Sequence, residues 1–186
     1  MRMVKRYLTA AAVCLTALAS WAAPTGEPAI TFQSSAYTEI GPSNLSSFLL
    51  GSIKEAEYTV VDASGERTIS VVPATFNASS GDFDGTWTQI KVPESGVVKI
   101  YGDPANIDVI VAEGLYITSV DMPAVTNLDI LQLQHNALQK LDLTPYTKLR
   151  AIYLSDNPFT AETPLKIGAP KPDLQILEID IIDHLD

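Results

Sequence analysis

Two histidines, His135 and His184, and a single cysteine, Cys14, are the whole supply of imidazole and thiol groups in the chain. No His, Cys, Asp or Glu cluster has zinc spacing. No serine stands in a G-x-S-x-G turn, and no glycine loop could cradle a phosphate. The stretch GDFDG (81–85) sets two carboxylates close together beside a glycine, as a calcium loop does. Gly85 follows Asp84 directly, however, and the D-x-D-x-D-G run with its closing glutamate is missing, so a polar turn is the plainer reading. A pair of acidic side chains could serve glycoside hydrolysis, but nothing selects a pair. N-L-S at Asn44 and N-A-S at Asn77 match the glycosylation pattern. The expectation is a protein that is not an enzyme and needs no metal or cofactor.

What the sequence does contain is a repeat. Ile107, Ile110, Ala112, Leu115 and Ile117 form its first copy. Leu128, Leu131, Leu133, Asn136 and Leu138 form the second, and Leu149, Ile152, Leu154, Asn157 and Phe159 the third. The step from copy to copy is constant at all five positions. The second halves align as well: Val120, Met122 and Leu128 against Leu141, Leu143 and Leu149. The L-x-L core of each copy has period two, which predicts a short strand with its leucines on one side. One copy cannot bury that side alone, so successive copies must stack. The strands then run parallel, with residues 117–128 and 138–149 as returns. Asn136 and Asn157 fall where the chain leaves the strand. Their amides can both donate and accept, which suits buried turn backbone. A fourth copy, Leu174, Leu177, Ile179 and Ile182, follows after a longer step. Pro158, Pro164, Pro170 and Pro172 exclude a helix in the intervening return. Leu174–Asp180 is expected to be an edge strand of an unfinished coil, because IIDHLD (181–186) is too short for another return.

LDILQLQHNAL (128–138), LQKLDL (138–143) and LRAIYLSDNPF (149–159) resemble the secreted leucine-rich repeat proteins of bacteria. The likeness covers about 107–182. It implies a curved parallel sheet, no cofactor, and a role in binding protein or glycan. The first copy departs from it at Leu115, where asparagine is expected.

Strand residues between the buried leucines must face the other way. They form three rows: Val109, Ile130, Ala151 and Ile176; Val111, Gln132, Tyr153 and Glu178; and Glu113, Gln134, Ser155 and Asp180. Gln132, Gln134, His135, Tyr153, Ser155, Glu178 and Asp180 are therefore the candidate contacts. The expected partner is a protein ligand, a host or surface protein among the candidates, and a glycan is the alternative.

The remaining chain sets the context. Residues 1–22 read as a signal peptide: Arg2, Lys5 and Arg6, then the apolar Leu8–Ala19, then Ser20 and Ala22 before a cut at Ala23. The apolar stretch is short for a membrane span, so no integral membrane segment is expected after cleavage. A lipoprotein cut at Cys14 is the rival, opposed by Val13 before the cysteine. Cleavage at Ala23 would remove the only cysteine, and with it any disulfide. The leader carries three basic residues and no acid, so its loss takes the net charge from −10 to −13. So acidic a chain repels phosphate backbones, which argues against nucleic acid. A secreted, periplasmic or cell-surface location is expected. Residues 23–28 are a Pro/Gly linker. Residues 29–103 hold β-like runs at 29–34, 56–63, 67–76, 86–92 and 96–102, while 43–53 could be strand or helix. This region is expected to be a small antiparallel β-domain capping a repeat unit at 104–186. An immunoglobulin-like sandwich is one form open to it, although about seven strands are expected there and the sequence offers five or six. The fold class is thus mainly β or α/β: a short leucine-rich repeat solenoid behind an N-terminal β cap.

Overall fold

The computed structural model describes residues 24–41, 45–77, 82–160 and 165–180. The leader with Cys14, the sequon residue Asn44, and the sequence after Asp180 with His184 lie outside the described residues. So does Gly81, the start of the acidic stretch. The chain is mainly β, built of antiparallel and mixed sheets. The described strands are β1 (Ile30–Ser34), β2 (Ser46–Ser52), β3 (Ala56–Asp62), β4 (Gly65–Val71), β5 (Thr75–Asn77), β6 (Asp82–Asp84), β7 (Thr86–Ile90), β8 (Val97–Tyr101), β9 (Ile107–Val111), β10 (Ile117–Asp121), β11 (Ile130–Gln132), β12 (Leu141–Asp142), β13 (Ala151–Tyr153), β14 (Leu165–Lys166) and β15 (Ile176–Glu178). Helix is confined to α1 (Ala36–Glu39) and a 3-10 turn at Pro104–Asn106 among the described residues. The α/β alternative therefore does not hold. The described returns are short strands and turns, as their prolines require.

Two sheets face each other. The back sheet has the order β10-β1-β8-β3-β4 and is antiparallel throughout. The front sheet has the order β15-β13-β11-β9-β2-β7. Its first four strands are parallel and in register: Val109, Ile130, Ala151 and Ile176 stand side by side. Each strand step thus equals the step between sequence copies, the longer last one included. The front sheet then continues into the N-terminal half. Strand β2 pairs antiparallel with β9, placing Leu49 beside Val111 and Leu50 beside Ile110. Strand β7 closes the row beyond it, with Trp87 beside Leu49. The apolar run SSFLLGS is thus a strand buried on both faces, with Phe48 and Leu50 turned inward and Leu49 outward. Hydrogen bonding continues across the expected 103/104 boundary, which falls at the 3-10 turn.

The core between the sheets is continuous from Ala29 to Phe159. Phe32 of β1 meets Phe48 of β2 edge-to-face, with ring centroids 5.8 Å apart. Such pairs add about 0.5–1.5 kcal/mol to the area they bury. Asp62 fixes the corner where both sheets meet. Its carboxylate accepts from Ser64 N (2.8 Å) and Lys91 N (2.9 Å), and Arg67 Nη1 lies 2.9 Å away. Ser34 Oγ donates to Leu115 O (2.6 Å), tying β1 to the first copy of the repeat.

In all three full copies every one of the five patterned positions is buried. The asparagines behave as expected of amides at a buried turn. Asn136 Oδ1 accepts from Leu115 N and Ile117 N, both at 3.0 Å. Its Nδ2 donates to Ala112 O (2.7 Å), Leu133 O (2.9 Å) and Gln134 O (3.1 Å). Asn157 repeats part of this one turn on, accepting from Leu138 N and donating to Leu133 O and Leu154 O. Leu115 can stand in the asparagine position of the first copy because Asn136 already serves its backbone. Behind the ladder, Tyr146 donates to Met122 O (3.1 Å), and burial pushes its phenol up to about 12. Lys171 donates to Leu143 O and Tyr146 O, both at 2.9 Å, and burial lowers its pKa.

A second apolar cluster lies on the outer face of the front sheet: Leu49, Val109, Val111, Ile130 and Ala151, with Ala74 and Tyr153 packed on it. The residues after β4 cross this face as an arm, and Ala74 is its contact. Gly51 makes the approach possible. A Cβ there would stand 2.6 Å from Val109 Cβ and 2.9 Å from Ala74 Cβ. Gly51→Ala is therefore expected to cost roughly 1–3 kcal/mol by overpacking. Combining it with Ala74→Gly should recover part of the loss. Additive melting shifts in the double variant would mean that the arm does not press on Gly51.

Candidate functional site

The outer face of the front sheet is where the sequence places its candidate contacts, and it is wider than the repeats alone would make it. Reading across the strands, one row runs Trp87, Leu49, Val111, Gln132, Tyr153, Glu178. Trp87 on β7 and Tyr153 on β13 are four strand steps apart, roughly 19 Å. Trp87 is half exposed, and Tyr153 is half-buried on the same face. Burial raises the Tyr153 phenol, and the nearby charge of Glu178 adds to the shift.

Gln132, Gln134 and Ser155 are half-buried, while Glu178, Asp180 and His135 are exposed. Ser155 Oγ lies 3.3 Å from Glu178 Oε1, and Asp156 N donates to Asp180 Oδ2 (3.2 Å). These two contacts bring the β13 and β15 candidates together. Gln134 Oε1 is buried without a hydrogen-bond partner. The first row departs from expectation: Val109, Ile130 and Ala151 are buried rather than open, packed in one cluster with Leu49 and Val111 against Ala74 of the arm and Tyr153. Only Ile176 of that row is exposed.

His135 sits on the rim with both ring nitrogens engaged. Nδ1 is 2.9 Å from Asp156 Oδ2 and Nε2 is 3.5 Å from Glu113 Oε1. The two carboxylates lie at opposite ends of the ring, so they do not converge on one point. Among the described residues no group of three or more His, Cys, Asp or Glu could hold a metal ion. Gly114, His135 and Asp156 close successive strands, and all have left-handed backbone, with φ of 65°, 55° and 56°. His and Asp tolerate that region better than most side chains. The sharp exit from each strand thus fixes where the rim charges stand.

Two features of the face were not anticipated. One is Trp87, with Ser46, Ser47, Glu113, Leu115 and His135 around a shallow hollow beside it. Its signal, the alternating run TWTQIKV, marks a strand but not which sheet the strand joins. The other is a groove of about 580 Å³ between the arm and the starts of the parallel strands. Ala74, Thr75 and Phe76 form one wall, and Val109, Ile130, Ala151 and Ile176 the floor. Asp108, Asp129, Arg150 and Gln175 line its charged end. Arg150 grips Asp129 through two hydrogen bonds from Nε and Nη2. Asp108 has no ion-pair partner among the described residues, and its Oδ1 is buried without a hydrogen bond.

Burial raises the Asp108 carboxyl above the usual range, and the charge of Asp129 adds to it. The folded chain therefore keeps a proton on Asp108 at pH values where the unfolded chain has released it. Stability from this group falls as pH rises through that interval and stays lower above it. Asp108→Asn, which removes the charge and keeps the size, is expected to raise the melting temperature at pH 7. The gain should shrink as acid protonates Asp108. A lower melting point for the variant at pH 7 would contradict this.

Comparison with known proteins finds no matching family model, curated protein or solved structure. Among the described residues no helix is long and apolar enough to cross a membrane.

Proposed function

We propose that this chain is an exported leucine-rich repeat protein that binds another protein through the outer face of its front sheet, without catalysing a reaction. The observation that carries the reading is the coincidence of two periods. The spacing of successive L-x-x-L-x-L-x-x-N-x-L copies matches single strand steps of a parallel ladder. Its outward positions then project one flat row of Gln132, Tyr153 and Glu178 away from the core. A half-buried tyrosine among amides and acids combines a rigid apolar anchor with an adaptable polar surround, the composition of a protein contact. Export rests on the leader reading of residues 1–22.

The test is site-specific photo-cross-linking in the cells that make the protein. A benzophenone side chain at Gln132 should give a discrete adduct with a partner protein. The same group at Glu57, exposed on the back sheet, should give none. Adducts from Glu57 alone would place the contact elsewhere. Tyr153→Ala should weaken binding of that partner by about 1–2 kcal/mol.

Trp87 supports a second reading, a glycan ligand. An exposed indole beside Ser47, Glu113 and His135 offers a stacking surface with hydrogen-bonding groups at its edge. Trp21 lies in the proposed leader, so Trp87 would be the only tryptophan of the mature chain. Its fluorescence would then report sugar binding directly. Quenching on titration with an oligosaccharide, abolished by Trp87→Ala, would favour glycan over protein.

A further inference from the structure

We infer that the groove between the arm and the strand starts is a specificity pocket for a peptide in which an aliphatic side chain adjoins a lysine or arginine. The inference rests on the protein-binding reading above and names the chemistry of the partner. The groove, at about 580 Å³, is within the range of ordinary ligand sites. Its floor is aliphatic, from Val109, Ile130, Ala151 and Ile176, and Phe76 stands on the arm side. An aliphatic side chain laid there would cover apolar surface that Ile176 and Phe76 now show to water. The charged end selects the neighbour. Arg150 and Asp129 neutralise each other, which leaves Asp108 as the lining carboxylate without a counter-ion among the described residues. A cation brought to Asp108 would supply it, and would relieve the repulsion from Asp129. An acidic neighbour would add a second uncompensated negative charge to the same end. Net charge points the same way, since a chain at −10 steers cationic segments towards itself.

The peptide reading also explains why a costly group stands in the groove. Replacing Asp108 by asparagine is expected to stabilise the free protein. A residue that lowers stability when unpaired and lines a groove fits a contact whose other half is a ligand.

The test uses the mature chain labelled for amide NMR, titrated to about 10 mM with acetyl-Leu-Lys-amide, acetyl-Leu-Glu-amide and acetyl-Gly-Lys-amide. Leu-Lys should shift amides at 74–76, 108–109, 129–130 and 150–153, and the other two should shift them far less. Asp108→Asn, confirmed as folded by its own spectrum, should weaken Leu-Lys binding about tenfold. Equal binding of Leu-Glu, or binding unchanged in Asp108→Asn, would overturn the assignment. Shifts confined to Gln132, Gln134 and Ser155 would overturn the groove and leave the outer-face reading standing. No shift from any of the three would overturn the groove as a peptide site, and the cross-linking at Gln132 would then judge the face by itself.

Discussion

Leu133→Ala is expected to lower stability by roughly 2–5 kcal/mol, towards the upper end of that range. The cost of such a change depends on how far the surroundings can collapse into the space. Here they are pinned. Leu133 is completely buried. Its amide donates to Tyr153 O (2.9 Å), and its carbonyl accepts from both Asn136 Nδ2 and Asn157 Nδ2. Backbone held from both sides cannot move inward to fill the cavity left by the side chain. Leu177→Ala is the control at an inward position left open to water. Leu177 stands beside Ile152, in the register of Leu131, but is 49% exposed, so its truncation should cost under about 1 kcal/mol. Urea unfolding with a common m-value checks both. Equal losses would mean that the copies are not packed as one core.

Asn136→Ala is expected to destabilise by about 3 kcal/mol, because an unpaired buried group costs about 1–3 kcal/mol and several are stranded together. Leu115 N and Ile117 N lose their acceptor, and Ala112 O loses its donor. Asn157→Ala should cost less, since among the described residues Asn157 Oδ1 serves a single amide, Leu138 N. Asn136→Asp keeps an acceptor but has a donor only when protonated, so it should fall between wild type and Asn136→Ala only at a pH low enough to protonate it. Thermal melts of the three variants give the ranking. Asn136→Ala melting with wild type would remove the amides from any structural role.

The repeat was legible because its information is local and periodic. Burial of Leu131, Leu133, Ile152 and Leu154, the turn asparagines and the outward row at Gln132 and Tyr153 all follow from one register, and a slip by a single position would reverse every side chain. The strands at 29–34, 56–63, 86–92 and 96–102 were legible for the same reason, as alternation between turns. What alternation cannot carry is partner choice. SNLSSFLLGSI has no period that separates strand from helix, and its place beside β9 depends on pairing with a segment far along the chain. The outer face consequently gains β2 and β7, and with them Trp87, which no pattern within 86–92 could assign to the repeat sheet. The arm is hidden for a related reason. Pro73 marks a break between β4 and β5, as expected. That the broken segment folds over Val109 and Ile130 is set by Gly51, on a different strand, which admits Ala74.

Whether the two halves share one sheet decides the whole account, since the width of the face, the arm and the groove all depend on it. Cross-strand NMR contacts measure this directly in the mature chain. Backbone contacts are predicted between Leu49 and Val111, between Leu49 and Trp87, and from Ile130 to both Val109 and Ala151. Contacts within 107–178 but none between residues 46–52 and 107–111 would show that the repeats and the N-terminal strands form separate sheets, and would contradict the continuous face.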